Sequence, residues 1–399
     1  MKLHIFNPEN DLALADGNSN YCPPPMARTI ARDLAALPLW YADDVDVVMV
    51  PSPLCVEYAA HLSVFFTMPS ASVALPVSRL TAVAPWGWSA QMKRRFKDMG
   101  VPDSLLPTSQ NLEQIRVLSN RRVAIDLLQA LRSSGIDTPE IPIYTTQPAE
   151  VAAFINSMPR SVVKAPWSGS GKGIAWGIGR VEVPVEHFYM GVIKRQGGVV
   201  CERFLDKVVD FAMEFSVRAG VVSFAGYSLF TCDGGSYSGN ILATDVAIEA
   251  FLCEYISRDI LANVKKVLMA ELSRLLAPIG YNGYLGVDML IYRHVGTFRL
   301  NPCVELNLRM NMGAVSRIFF DKYVDAGSRG RFLVSFYKNS GEALAVHNAM
   351  HVRYPLCVEQ GRVLRGYMPL SPVAADNRYS AFVVISDSGE SLNELYFSK

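Results

Sequence analysis

Hydrophobic positions along the chain come in short runs broken by glycine, proline and polar clusters. Leu3 to Phe6 reads as a strand, and Asn7-Pro8-Glu9-Asn10-Asp11 breaks it. A helix is expected from Met26 to Leu37, stopped by Pro38, then strands from Asp46 to Val50 and from Leu80 to Ala84. Ser89 is a good N-cap for a basic helix, Ala90 to Met99. This alternation predicts a small parallel α/β domain over residues 1–118. Beyond it, Val123 to Leu131 has a helical pattern and leads to Gly135-Ile136-Asp137-Thr138-Pro139. Val221 to Phe230 reads as strand and Ile256 to Leu276 as helix. The polar Gly/Ser stretch between them, Thr231 to Asn240, is either a hairpin turn or a loop reaching toward a substrate, with Tyr237 and Asn240 as its candidates.

Two alternating segments follow, Tyr284 to Tyr292 and Cys303 to Arg309, and Arg293 to Thr297 reads as the turn between them. Residues two apart in a strand share a face. Glu305, Asn307 and Arg309 therefore point one way, and Val304, Leu306 and Leu308 face the core. If the strands pair, Asp288 joins Glu305 on the polar face. The last 80 residues carry β-rich patterns such as Ala381 to Ile385 and Leu395 to Phe397. They read either as an appended module or as strands completing the core.

Composition changes this picture little. A formal net charge of +1, with 19% charged residues, gives no electrostatic case for nucleic acid or membrane binding. The 399 residues allow two or three domains. No apolar run approaches the ~20 residues that span a bilayer, and the start lacks a signal-peptide core, so a cytoplasmic protein is expected. Seven dispersed cysteines without a C-x-x-C pair read as reduced thiols. His347 and His351 have i,i+4 spacing but no acidic or cysteine partner nearby, and read as surface or structural residues.

Three segments carry candidate chemistry. In Ser161 to Gly173, SVVKAPWSGSGKG, an apolar run ends in Lys164 and a glycine-rich loop surrounds Lys172. Glycines admit close approach of backbone to phosphate, and lysines add charge. The spacing fits neither the P-loop nor G-x-G-x-x-G; taken alone, such a segment is more often a flexible surface loop. Asp288, Glu305 and Asn307 offer hard oxygen ligands that suit Mg²⁺ on nucleotide phosphates. Arg309 is either a fork for a carboxylate or phosphoryl group or an ion-pair partner of Glu305. VVCERFLD, residues 199–206, offers backbone groups to an adenine edge and a carboxylate to a ribose, or is an ordinary strand exit.

These motifs, in this order, resemble the ATP-grasp superfamily of carboxylate–amine or thiol ligases, in motif style biotin carboxylase and the peptide-forming ligases. The resemblance covers roughly Ser119 to Gly313. It rests on VVKAPWSGSGKG, the hinge VVCERFL, the acidic strand Met213-Glu214-Phe215-Ser216-Val217, GYLGVDMLIY and the complete E-x-N-x-R of ELNLR. It implies a multidomain α/β and α+β fold. An N-terminal parallel α/β domain (1–118) precedes an ATP-grasp fold whose two α+β subdomains (119–205 and 206–320) enclose the nucleotide, and a β-rich extension (321–399) follows. By resemblance, Lys164, Lys172 and Arg121 hold phosphates; the pair Arg121-Arg122 leaves that register open. Glu202, Arg203 and Leu205 line the adenine hinge, and Asp206 meets the ribose. Asp288, Glu305 and Asn307 hold one or two Mg²⁺, with Mn²⁺ an alternative, and Arg309 faces the transferring phosphoryl.

The function implied is an ADP-forming ligase that joins a small-molecule carboxylate to an amine or thiol through an acyl phosphate. The alternatives are a small-molecule phosphotransferase of the same fold and a nucleotide-binding sensor or scaffold without turnover. The N-terminal loops, with Glu9, Asn10, Asp11, Asn18 and Asn20, are the expected acceptor side; Arg28 and Arg32 on the next helix form either a solvated face, the favoured reading, or a clamp for a substrate carboxylate.

Overall fold

A computed structural model describes residues 1–75, 77–169, 173–233, 235–386 and 390–397. The N-terminal sheet is parallel, in the order β3-β2-β1-β4, from β1 (Lys2–Ile5), β2 (Val47–Met49), β3 (Ser70–Ser72) and β4 (Ala82–Pro85). Its strands are short and apolar, with Leu3, Ile5, Val47, Val48 and Val83 buried, as parallel strands covered by helices must be. The helix after Ser89 spans Ala90–Asp98, and the Ser89 hydroxyl accepts the Met92 N–H at 3.1 Å, which is the expected cap. The segment read as a break does end β1, and a short helix, Asn10–Asp16, follows it. One element differs from expectation: the helix expected from Met26 to Leu37 spans Pro25–Asp33.

In this order the chain leaves β1 to one side for β2 and to the other for β4. The crevice between the C-terminal ends of β1 and β4 is therefore a switch point, the place where open α/β sheets take ligands. The loops there are clasped. Asn7 donates to the Gly87 carbonyl at 2.9 Å and accepts the Gly87 N–H at 3.3 Å.

The second sheet is small and antiparallel, in the order β5-β8-β6-β7, from β5 (Ile143–Thr145), β6 (Ser161–Lys164), β7 (Ile174–Gly177) and β8 (Val199–Arg203). Helices Pro148–Ser157 and Val183–Gln196 cover its apolar face, where Val163, Val199 and Cys201 are buried. Val162 pairs with both Glu202 and Trp176, so these two share the opposite face with Lys164.

The third sheet has nine strands among the described residues, all antiparallel. They are β9 (Asp206–Arg218), β10 (Val221–Asp233), β11 (Ser236–Leu242), β12 (Gly283–His294), β13 (Thr297–Asn307), β14 (Arg329–Phe336), β15 (Cys357–Glu359), β16 (Arg362–Pro369) and β17 (Tyr379–Ser386). Their order is β13-β12-β9-β10-β11-β14-β17-β16-β15. Helix Arg258–Leu276 packs on the face carrying Phe211, Met213, Phe215, Val287 and Met289. Helix Met312–Tyr323 packs on the other side, in a core that also holds Trp40 of the N-terminal segment and Val383 of β17.

The C-terminal strands thus complete the large sheet and share its core. Most of the Gly/Ser stretch lies in the two strands of the β10–β11 hairpin, where Asp233 pairs with Ser236. Leu395 to Phe397, read as strand, lies in a helix, Leu392–Phe397. Ser391 and Glu394 form its reciprocal capping box, with the Ser391 N–H on Glu394 Oε2 at 2.8 Å and the Glu394 N–H on Ser391 Oγ at 3.2 Å. No helix among the described residues is long and apolar enough to cross a membrane.

Candidate active site

The polar face of the large sheet begins at the β12–β13 hairpin. Val295 and Gly296, both at positive φ, form its two-residue turn, within the segment expected to turn. The register places Asp288 directly opposite Glu305 and Gly286 opposite Asn307. Between Asp288 and Leu290 the ladder slips, and Pro302, Cys303 and Val304 of β13 bulge. Proline has no N–H to give the ladder, and Asn301 Oδ1 takes the Cys303 N–H at 3.3 Å instead. The bulge corrects the expected alternation. Cys303 is buried in the core and Val304 is only half-buried, while Leu306 and Leu308 are buried as expected.

On β9, Ala212 lies opposite Asp288, Asp210 opposite Leu290 and Glu214 opposite Gly286. Asp210 and Glu214 therefore share the face of Asp288. Burial and the neighbouring Glu305 push the Asp288 carboxyl up to about 7, against which Arg309 and a hydrogen bond from Asn307 act. Burial above all pushes Glu214 up to about 8, although Asn311 donates to its Oε2 at 2.8 Å. Asn311 also caps helix Met312–Tyr323 by accepting the Ala314 N–H at 2.9 Å. Gly313 lets that helix sit on the carboxylate, since a Cβ there would fall 2.2 Å from Glu214 Oε1.

Cations approach from the small sheet. Lys164, buried at the end of β6, meets Glu202 Oε1 at 2.5 Å. Burial pushes up the Asp210 carboxyl and the Cys303 thiol, and the Lys164 charge acts against both shifts, so it faces the large sheet. Arg121 is buried and spans both sheets. It donates to the Ala165 carbonyl at 2.7 Å, to Ser168 Oγ at 2.5 Å and O at 3.3 Å, and to Glu305 Oε2 at 2.9 Å. Its Nε is buried without a partner. Arg122 is exposed and stacks over Tyr144, so Arg121 is the inward member of the pair.

Arg309 lies just past β13 and is held by Asp11, with Nε on Oδ1 at 2.8 Å and Nη2 on Oδ2 at 2.7 Å. A narrow cleft lies beside it, lined by Asp11, Trp167, Ser168, Glu305, Asn307 and Arg309. The expected hinge residues are not among those that line it. Arg203 is exposed, 4.0 Å from Glu140, Leu205 is half-buried, and Asp206 is exposed, 3.9 Å from Arg293. Lys172 lies outside the described residues. Arg32 is engaged by Asp33 at 2.8 Å and Asp376 at 3.4 Å.

Three features escape the sequence reading. Glu214 enters it only as part of an acidic strand. Trp176 is half-exposed on the Lys164 face, edge-on to Phe204 at 5.8 Å. The pairing of Asp11 with Arg309 links residues too far apart for any local pattern to signal.

No family model and no curated protein matches the sequence. Solved structures do match the fold. N5-carboxyaminoimidazole ribonucleotide synthetase from Thermus thermophilus aligns at 14% identity over 99% of this chain and 96% of its own, with a TM-score of 0.50. The chain has the ATP-grasp fold. Also matched are N5-carboxyaminoimidazole synthetase from Staphylococcus aureus complexed with ADP (12%, 98% and 94%, TM-score 0.48) and biotin carboxylase from Campylobacter jejuni (11%, 97% and 87%, TM-score 0.49).

Among the described residues no group of three or more His, Cys, Asp or Glu side chains is arranged to hold a metal. The expected Mg²⁺ set is two carboxylates and an amide, all hard oxygen donors. The raised Asp288 carboxyl, opposite Glu305, is a site where a cation relieves charge repulsion. Arg121 already supplies one positive charge to Glu305. The donors therefore fit Mg²⁺.

Proposed function

We propose that the chain is an ATP- and Mg²⁺-dependent ligase that joins a carboxylate to an amine, or to a thiol, through an acyl phosphate. The observation that carries this reading is the meeting of cations and oxygen donors between the small and large sheets. Arg121, at the head of helix Arg122–Ser133, bonds both the Ala165–Ser168 segment and Glu305, Lys164 faces the large sheet from the end of β6, Asp288 pairs with Glu305 across β12 and β13, and Glu305, Asn307 and Arg309 line the cleft.

Mg²⁺ would be held by Asp288, Glu305 and Asn307, and when bound it would neutralise charge on the nucleotide phosphates. Lys164 would exchange Glu202 for phosphate oxygens, with Lys172 and Arg121 as further contacts. Glu202, Arg203 and Leu205 would border the adenine and Asp206 the ribose. A carboxylate oxygen of the first substrate then attacks the γ-phosphorus, and the bond to ADP breaks. Arg309 would align the resulting acyl phosphate. The amine nitrogen attacks the acyl carbon, phosphate leaves, and the nitrogen gives up a proton. Positioning and preorganised charge carry most of such a reaction.

The test is ADP formation over a panel of amino acids, short peptides and polyamines, followed by mass spectrometry. The expected result is ADP release that needs both an acid and an amine, with a product of their summed mass less one water. A phosphorylated acid as the final product would indicate a phosphotransferase. No ADP with any pair would indicate a binding protein without turnover.

A further inference from the structure

Asp11 occupies the junction of three parts of the chain. It follows β1 at the switch point of the parallel sheet, just past the Asn7–Gly87 clasp. Both of its oxygens accept from Arg309, and both side chains are largely buried, at 20% and 14% exposure. Gly169 closes the third side. A Cβ at Gly169 would fall 2.4 Å from Asp11 Oδ2, so only glycine admits the carboxylate there.

This pairing is odd for an arginine whose task is to attract an anion. A carboxylate on a guanidinium cancels much of its charge, and a solitary cation would bind anions better. What the pair supplies is orientation. A guanidinium offers two forks. Asp11 takes the side-on fork, Nε and Nη2, and one Nη1 hydrogen goes to the Met310 carbonyl at 3.1 Å. One hydrogen is left on each Nη, and Asp11 and Arg309 both line the adjacent cleft.

We infer that Asp11 is a positioning residue: it fixes the plane of Arg309 so that its end-on edge receives a phosphate-like oxyanion, and it makes that alignment depend on the seating of the N-terminal sheet. The inference rests on the reading of the cleft as a site of phosphoryl chemistry.

Calorimetry with inorganic phosphate tests it, with and without saturating Mg·ADP, in the parent, Asp11→Asn and Asp11→Glu. Simple electrostatics predicts that removing a carboxylate beside a cation tightens phosphate binding. Positioning predicts the opposite sign. We expect Asp11→Asn to weaken phosphate by about tenfold or more, the value of one charge-assisted hydrogen bond, while the Kd for Mg·ADP stays within about twofold. Asp11→Glu keeps the charge but is too long for the Gly169 side, so it should weaken phosphate as well, and it serves if Asp11→Asn does not fold. In an Arg309→Lys background, Asp11→Asn should add no further loss. Phosphate bound as tightly or more tightly by Asp11→Asn overturns the inference, as does a parent that binds no phosphate. A parent that binds phosphate but no Mg·ADP refutes the nucleotide reading and leaves the Asp11 comparison intact.

Discussion

Asp288 gives the account a quantitative handle. Its carboxyl lies opposite Glu305, and burial with that second carboxylate pushes it up to about 7. A metal that binds there needs the ionised form, so binding must expel the proton. At pH 6 a group with that pKa is about nine-tenths protonated, and at pH 8 about one-tenth. Mg²⁺ binding should therefore release close to one proton at pH 6 and about a tenth of one at pH 8, and the apparent affinity at pH 6 should be about tenfold weaker. Calorimetry in two buffers of different ionisation enthalpy counts the protons directly. Asp288→Asn should abolish the release. The same shift has a signed effect on the ligand-free fold. Between its ordinary value and about 7, native Asp288 keeps a proton that the unfolded chain has lost. Its contribution to stability is therefore present at low pH and lost as pH rises through the folded value, and the parent should fall relative to Asp288→Asn between about pH 4 and pH 7. Mg²⁺ binding with no proton release at pH 6 would refute the reasoning.

Two further substitutions probe the groups around it. Lys164→Ala should cost roughly 2–4 kcal/mol in Mg·ATP binding or turnover, the size of one preorganised donor, and unchanged nucleotide titration and kinetics would remove Lys164 from the phosphate site. Arg309→Lys should melt near the parent and bind Mg·ATP normally, yet lose on the order of 100-fold in ligation because lysine lacks the planar fork; a loss of melting temperature and ATP affinity with kcat preserved would leave Arg309 structural.

Much of this site is legible in the sequence because strand periodicity and turn chemistry are local. The alternation around Asp288 and Glu305 and the turn between Arg293 and Thr297 fix which residues share a face, and the hairpin is found there. The order of the motifs carries the fold. Local reading fails where the determinant is distant. Asp11 and Arg309 meet across 298 positions, and the choice between Arg121 and Arg122 depends on where the loop at Ala165 and Ser168 lies. It fails also where one residue breaks the period, as Pro302 does by bulging β13 and turning Cys303 inward. The Leu392–Phe397 helix escapes for another reason. Its capping box is present at Ser391 and Glu394, but the short apolar run after it reads equally as strand.

The central claim is that Mg·ATP sits between the small and large sheets with its γ-phosphate at the Arg309 end. A crystal structure with Mg²⁺ and a non-hydrolysable ATP analogue tests it most directly. The account predicts phosphate oxygens within hydrogen-bond reach of Lys164, and a metal within about 2.1 Å of oxygens from Asp288 and Glu305. A nucleotide bound elsewhere, or a metal more than about 3 Å from both carboxylates, would contradict it.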